Sequence, residues 1–146
     1  MRNFAITVDV DAPPERVWQV ISDLDHWHEW TDSVSSVKRI NGGPFAVGTM
    51  ILIKQPRFPP ALWKLTEIIP GKTFTWTSGG PGFKSIASHT IEPRNTGARV
   101  TLRLEYRGLL GGAFGKMTAG ITERYMAMEA SGLKKRSESA VRTLAR

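Results

Sequence analysis

The chain contains no cysteine. This absence excludes disulfide bonds, thiolate nucleophiles and cysteine-type zinc sites, so side-chain packing is expected to stabilise the fold. No apolar run reaches the length of a membrane span, and the first residues lack the apolar core and small-residue cleavage site of a secretory signal. We therefore expect a cytoplasmic protein without a membrane span.

Residues that carry common hydrolytic or nucleotide chemistry are also scarce. The chain has three histidines and no Gly-x-Ser-x-Gly elbow. The glycine-rich run at 111–116 departs from a phosphate loop because Leu110 replaces the first glycine and Met117 the hydroxyl residue. His26 and His28 are two residues apart and would point to different sides of a helix. We therefore expect no metal site and no cofactor.

Length and charge set the remaining limits. The 146 residues, of which 40% are hydrophobic, fit a single domain over 1–146 with one core. A formal charge of +7 favours anionic partners. The densest basic run, 134–136, falls late in a predicted helix, where cations complement the helix dipole. No aromatic-plus-basic RNA motif is present, so nucleic acid is the least favoured partner.

Alternating apolar and polar residues at 4–10 predict a first strand. The prolines and early acid of 11–15 then predict a helix start, and Trp27 and Trp30 would share one side of a short second helix. After Gly108, apolar residues at every third or fourth position predict one long helix to about Leu144. Six further strands, bounded mostly by Pro or Gly, are predicted at 33–40, 48–55, 61–69, 73–78, 83–92 and 98–107.

The opening of the chain also carries a recognisable pattern. Residues 10–18 read VDAPPERVW, followed by ISD at 21–23 and by Trp27 and Trp30. This pattern resembles the polyketide cyclase/dehydrase group of the START-like, or SRPBCC, superfamily. The resemblance continues over nearly the whole chain, through Gln55, Pro56, Trp63, Thr66, Glu67, Pro70, Gly71, 74–76, His89, 91–93, Gly97, Val100 and Thr101 to Glu129, 132–134 and Glu138.

The element order indicates an α+β domain with helices on one face of an antiparallel sheet. The resemblance implies more: a helix-grip fold, in which a curved seven-stranded antiparallel sheet surrounds a long C-terminal helix. It further implies a cavity between sheet and helix for lipids, polyketides or other apolar molecules. Membership of this superfamily does not fix the chemistry, because carriers, cyclases and regulatory proteins share the architecture.

Strand alternation and the helical stripe indicate which side chains face the interior, although any one of them could simply fill a core. The residues expected to contact a ligand are Trp30, Ile51, Ile53, Gln55, Trp63, Leu65, Phe74, Trp76, His89, Leu102, Leu104, Phe114, Met117, Ile121 and Tyr125. His89 occupies one of the alternate positions of its strand whose side chains face the interior, and it is the candidate acid or base. The alternative is a buried histidine that bonds to a neighbouring group.

Binding or transport of a hydrophobic small molecule, such as a polyketide, a lipid or an aromatic compound, is the leading hypothesis. A cyclase or dehydratase that uses His89 as acid or base is the alternative, and an RNA- or ribosome-associated role ranks third. The protein is expected to be a monomer or a homodimer. The glycines at 111, 112, 115 and 120 could form a mobile gate or could only permit close packing.

Overall fold

The computed structural model describes residues 2–40 and 43–144 and, for 140–144, the backbone alone. Seven strands form one sheet in the order β1-β7-β6-β5-β4-β3-β2, and every neighbouring pair is antiparallel. The strands are β1 Arg2–Val10, β2 Ser36–Arg39, β3 Met50–Lys54, β4 Ala61–Ile69, β5 Thr73–Gly80, β6 Phe83–Arg94 and β7 Gly97–Arg107. The helices are α1 Pro14–Ser22, a 3-10 helix Leu24–Glu29, α2 Leu109–Met117 and α3 Ala119–Leu144.

The predicted α+β architecture is confirmed, with seven strands, two short helices after β1 and a long C-terminal helix. Pro and Gly mark most strand boundaries, since proline cannot donate to a ladder and glycine permits the turns. One face of the sheet carries the core. Its fully or almost fully buried side chains are Ile51, Leu65, Phe74, Trp76, His89, Ile91, Val100 and Leu102, which are the inward positions that strand alternation predicts.

The two short helices cover one end of that core. Pro14 occupies the first turn of α1, whose Val17, Val20 and Ile21 are buried. In the 3-10 helix, the indole nitrogen of Trp27 donates a 2.8 Å hydrogen bond to the carbonyl oxygen of Ile21. The rings of Trp27 and Trp30 are 5.0 Å apart, so they do share one side, as their spacing predicts.

The prediction of one continuous C-terminal helix is wrong. α2 is capped by Thr118, whose backbone N–H and hydroxyl both donate to the carbonyl oxygen of Phe114, and α3 begins after it. The buried face is also one position off the predicted stripe, already in α2, where Gly111 and Gly115 are the buried residues. Up to residue 139, the buried residues of α3 are Thr122, Met126, Ala130, Leu133 and Ser137, whereas the predicted stripe runs through Ile121, Tyr125 and Met128, which are only half-buried.

α3 also lies very close to the 3-10 helix. A Cβ atom placed on Gly132 would lie 1.8 Å from the carbonyl oxygen of Trp30. No side chain fits in that space, so glycine permits the direct contact between the two backbones. The close approach fixes α3 over the sheet and positions the residues on its inner face.

Candidate functional site

A cavity lies between the concave face of the sheet and α3. Its inner part, which we call the inner chamber, has a volume of about 90 Å³. The chamber adjoins an outer groove of about 560 Å³ between α2 and the loop that joins β3 to β4. The side chains shared by the two walls are Ile53, Gln55, Phe58, Trp63, Leu104 and Tyr106.

Aromatic rings form much of the chamber wall. The rings of Trp27 and Trp76 are 5.3 Å apart, and those of Trp76 and Trp63 are 6.1 Å apart. Large aromatic rings provide rigid apolar surface for a ligand, and the indole N–H adds a polar edge. The complete lining is Trp27, Val34, Ile53, Gln55, Phe58, Trp63, Trp76, Ala87, Ser88, His89, Leu102, Arg103, Leu104, Tyr106, Thr122, Tyr125, Met126 and Glu129.

His89 is fixed by the register of β6, where it stands opposite Phe74 of β5 and Leu102 of β7. Its ring stacks on the Phe74 ring at 4.1 Å, and its Nδ1 atom lies 3.2 Å from the Phe74 carbonyl oxygen. Because a carbonyl oxygen only accepts hydrogen bonds, this contact assigns the proton to Nδ1 and leaves a lone pair on Nε2. Burial lowers the pKa of His89 to about 4, so the imidazole is neutral at pH 7.

Glu129 reaches the same point from α3. Its Oε1 atom lies 3.6 Å from His89 Nε2, is buried and has no hydrogen-bond partner. Burial raises the pKa of Glu129 to about 8, so the carboxyl group is protonated in most molecules at pH 7. The pair is therefore a neutral imidazole beside a neutral acid. The 3.6 Å separation is too long for a direct hydrogen bond, so both groups keep capacity for a ligand.

Sequence reasoning missed Glu129 as a site residue and matched it only as part of the C-terminal helix. The signal lay in the spacing of Thr122, Met126, Glu129 and Leu133, an inward stripe of α3 that contains one acid. A carboxyl group on an otherwise apolar helix face is rarely buried without a role. The predicted stripe missed Glu129 because it followed the large apolar residues at 110, 114 and 117, whereas the buried positions of α2 are Gly111 and Gly115.

The structure brings eight of the predicted ligand contacts together on the wall of the inner chamber. They are Ile53, Gln55, Trp63, Trp76, His89, Leu102, Leu104 and Tyr125. Phe114 and Met117 line the outer groove alone. These two therefore lie at the mouth and not beside His89.

Five predicted contacts lie outside both walls: Trp30, Ile51, Leu65, Phe74 and Ile121. Phe74 faces inward as expected, but the rings of Trp18 and Phe45 pack against it at 6.0 Å and 5.2 Å and close that end of the sheet. Trp30 packs behind Trp27, and Ile121 lies off the inner face of α3. These five residues therefore contribute to the packed core and surface around the cavity and do not line it.

Phe58 is a wall residue that the sequence did not single out. Its ring centroid lies 6.0 Å from those of Phe114 on α2 and Tyr125 on α3. The Tyr125 hydroxyl donates a 2.5 Å hydrogen bond to the carbonyl oxygen of Pro56, and the Lys54 ammonium group bonds the carbonyl oxygen of Phe58. Phe58 is thus held at the boundary between the inner chamber and the outer groove.

Residues 1–138 match the family model described as polyketide cyclase / dehydrase and lipid transport. The chain belongs to this family. The resemblance that the opening motif indicates is therefore confirmed, and with it the helix-grip architecture. A search among curated proteins gives no significant match to the chain.

Solved structures agree on the fold of this family member. The Zhui aromatase/cyclase from Streptomyces sp. R1128 is 15% identical with a TM-score of 0.77, covering 96% of this chain and 95% of that chain. A START superfamily protein from Mycobacterium smegmatis is 16% identical with a TM-score of 0.69, covering 92% and 97%. A protein from Thermus thermophilus is 20% identical with a TM-score of 0.75, covering 95% and 99%. At these identities the likeness concerns the fold alone.

Within 2–40 and 43–144, no group of three or more His, Asp or Glu side chains could hold a metal ion. None of the helices in the described part of the chain combines the length and the apolar character needed to cross a bilayer.

Proposed function

We propose that this protein binds a hydrophobic small molecule of the aromatic or polyketide type in the cavity between the sheet and α3. The observation that carries the proposal is the adjacency of the inner chamber and the outer groove, whose walls share Phe58, Trp63 and Tyr106. A continuous, largely apolar wall with a few polar groups is typical of small-molecule sites.

The two volumes indicate how such a ligand would lie. The inner chamber alone, at about 90 Å³, is smaller than the several hundred cubic ångströms that drug-sized ligands occupy. The outer groove adds about 560 Å³. A ligand would therefore place one end beside His89 and Glu129 and leave its apolar body along Trp63 and Phe114.

The polar groups at the inner end favour a neutral hydroxyl-bearing group such as a phenol or an enol. Such a hydroxyl can donate to His89 Nε2 and accept from the protonated Glu129 carboxyl group. Neither the neutral imidazole nor the protonated acid offers a positive charge to an anionic group, and Arg103, the cationic residue of the lining, is exposed to solvent. The matched pair of donor and acceptor thus favours phenols over carboxylates of similar size.

Ligand binding is tested by native mass spectrometry and by quenching of tryptophan fluorescence with naphthol, anthraquinone and naphthoate probes. Ala87→Phe places a ring in the inner chamber and is expected to abolish binding of the phenolic probes. Ala5→Phe adds the same ring at an exposed position of β1 and serves as the matched control. Wild-type protein that binds none of the probes, or an Ala87→Phe variant that binds them unchanged, would contradict the proposal.

A second candidate function is an acid–base reaction on the bound molecule, namely the dehydration of a β-hydroxyketone. The observation in its favour is the buried pair of His89 and Glu129, whose pKa values are displaced in opposite directions, to about 4 and about 8. Such displaced pairs are a recurring feature of acid–base sites. His89 Nε2 would take a proton from carbon, the electrons would form a C=C bond, and Glu129 would protonate the hydroxyl that leaves as water.

Turnover separates the enzyme from the binding protein. If the reaction occurs, Glu129→Gln and His89→Gln are each expected to lower the rate by at least about a hundredfold while the probes still bind. Thr122→Ser, a small change on the same inner wall, is the control. Saturable binding by wild-type protein without any product from β-hydroxyketone substrates would exclude the second function and retain the first.

A further inference from the structure

Large apolar side chains are exposed together around the mouth of the cavity. On α2, Leu109 is 92% exposed, Leu110 62% and Met117 80%. Pro59 and Pro60, on the opposite side of the outer groove, are exposed as well. We call these five residues the apolar rim. Single exposed apolar residues are common, but a group of them beside an opening marks an interaction surface.

The way α2 packs shows that the fold does not require an apolar rim. The helix contacts the rest of the protein through glycine: a Cβ atom on Gly115 would lie 2.7 Å from the Tyr106 ring and 2.9 Å from Cβ of Arg2. Gly111 is the other buried residue of α2. A surface helix ordinarily turns its apolar face inward. Here the inner face combines glycine with Phe114, whose ring lies 5.4 Å from those of Phe83 and Tyr106, while Leu109, Leu110 and Met117 point outward.

Cationic side chains accompany the apolar rim. Lys116 precedes Met117 on α2, and Arg57 lies two residues before Pro59 in the loop between β3 and β4; both are exposed. Arg107 and Lys84 are exposed as well, but they alternate with the groove residues Tyr106 and Phe83 and so lie on the outer face of the sheet, where Glu105 binds Arg107 at 2.7 Å. The surface therefore combines exposed apolar groups with net positive charge.

We propose that the apolar rim inserts into the surface of a bilayer that contains anionic phospholipids, so that the mouth of the cavity faces the lipid. Apolar side chains that enter the headgroup region and cations that meet anionic lipids are the two contributions that hold peripheral proteins on membranes. Only shallow insertion is required, because the rim is formed by one short helix and one loop.

Charge and side-chain type favour the bilayer over two other occupants. A second copy docked through the same surface would bring like cations together, since a twofold interface pairs a patch with itself. Nucleic acid would match the charge but would leave Leu109, Leu110 and Met117 without partners, because single strands are bound largely by aromatic stacking. The proposal concerns the empty protein on lipid and does not depend on which molecule the cavity holds.

Vesicle flotation with the full chain tests the proposal. We expect wild-type protein to float with vesicles of phosphatidylcholine mixed with phosphatidylglycerol, to float poorly with phosphatidylcholine alone, and to dissociate as salt is added. The variant L109S/M117S is expected to lower partitioning at least about tenfold. The matched control V47S/I69S removes two exposed apolar side chains far from the mouth and is expected to float as wild type does.

Charge reversal provides the second arm of the test. R57E/K116E is expected to abolish the preference for phosphatidylglycerol, whereas K72E/K135E makes the same charge change elsewhere and is expected to retain most of it. Circular dichroism checks that each variant is folded. The single variant L109S is measured as well, because Leu109 lines neither the chamber nor the groove and its loss does not alter the ligand site.

Several results would overturn the proposal. One is wild-type protein that stays with buffer in the presence of the mixed vesicles at low salt. Another is L109S/M117S protein that floats as well as V47S/I69S. A dimer that L109S/M117S disrupts, without any flotation, would assign the rim to a second copy, and RNA binding sensitive to R57E/K116E without flotation would assign it to nucleic acid.

Discussion

His89 and Glu129 approach to 3.6 Å between Nε2 and Oε1, and neither is charged at pH 7 in the folded protein. The distance is within the range of an ion pair, but burial penalises the charged form of both groups. The donor and acceptor roles within the neutral pair are fixed, because the imidazole donates its Nδ1 proton to the Phe74 carbonyl oxygen and Nε2 is left as an acceptor. The inner end of the cavity therefore presents one acceptor on β6 and one acidic donor on α3.

The displaced pKa values predict a pH-dependent stability. Folded Glu129 keeps its proton to about pH 8, whereas its ordinary pKa is 4.5, so the folded state binds more protons between these values and stability falls as pH rises. His89 has the opposite effect, because its pKa is about 4 in the folded protein and 6.5 ordinarily. Between these pH values the unfolded state binds the extra proton, so stability rises with pH and offsets the loss from Glu129.

The net loss of stability is therefore expected between pH 6.5 and 8, on the order of 2 kcal/mol. Urea unfolding at pH 6, 7 and 8 measures it. Glu129→Gln removes the titrating group and is expected to flatten this part of the profile, whereas Glu123→Gln, an exposed acid on the same helix, is expected to leave it unchanged. A wild-type profile that is flat, or that rises with pH, is incompatible with a buried neutral Glu129.

Gly132 and Gly120 are predicted to respond in opposite ways to alanine. A Cβ atom on Gly132 would meet the Trp30 carbonyl oxygen, so Gly132→Ala is expected to destabilise the protein by about 3 kcal/mol or more. Nothing lies within 4 Å of a Cβ atom on Gly120, and Gly120→Ala is expected to stabilise α3 by about 0.5–1 kcal/mol. Thermal unfolding measures both. Equal effects would mean that α3 does not rest on the Trp30 backbone.

Phe58 is predicted to control passage between the inner chamber and the outer groove. Its side chain lines both and contacts Phe114 and Tyr125. Phe58→Ala is expected to speed dissociation of a bound probe about tenfold and to expose Trp63 to acrylamide quenching, because ring contacts of this kind contribute about 0.5–1.5 kcal/mol beyond buried area. Phe58→Leu, which keeps apolar volume, should be intermediate. Unchanged dissociation in both variants would remove Phe58 from the route.

Hydrogen exchange is predicted to divide the C-terminal segment at Thr118. The buried residues of α2 are Gly111 and Gly115, and Phe114 is the large side chain of this helix that packs against the core, so less apolar area holds α2 in place than holds the central strands. Its amides are expected to exchange faster than those of β6 and β7, as weakly packed elements do. If α2 and the central strands were protected equally, a mobile gate would be excluded, and the glycines of α2 would serve only to permit close packing.

The fold was largely predictable because its signals are local. Strand alternation and the prolines and glycines between strands predicted β4 at 61–69, the same bounds that the structure has. The break at Thr118 could not be predicted, because it depends on which groups share the Phe114 carbonyl oxygen. The phase of the buried face was mispredicted for another reason: the prediction followed the large apolar residues, whereas the buried positions of α2 are Gly111 and Gly115, and the buried face of α3 continues from them.

The candidate site was predictable only in part. Alternation tells which face a side chain occupies, and it placed Trp63, Trp76, His89 and Leu104 toward the interior. It does not tell how far along the sheet the packed core ends and the chamber begins. That boundary depends on Trp18 of α1 and Phe45 of the segment before β3, whose rings pack against Phe74 and against each other.

Four of the five tryptophans lie in one unbroken row of ring contacts, from Trp30 through Trp27 and Trp76 to Trp63. The row crosses from the 3-10 helix to the sheet, so it exists only while these elements are docked. The near-ultraviolet circular dichroism of these tryptophans therefore reports whether the tertiary packing is intact. The signal should vanish in a molten globule, which keeps its helices and strands but loses fixed side-chain packing.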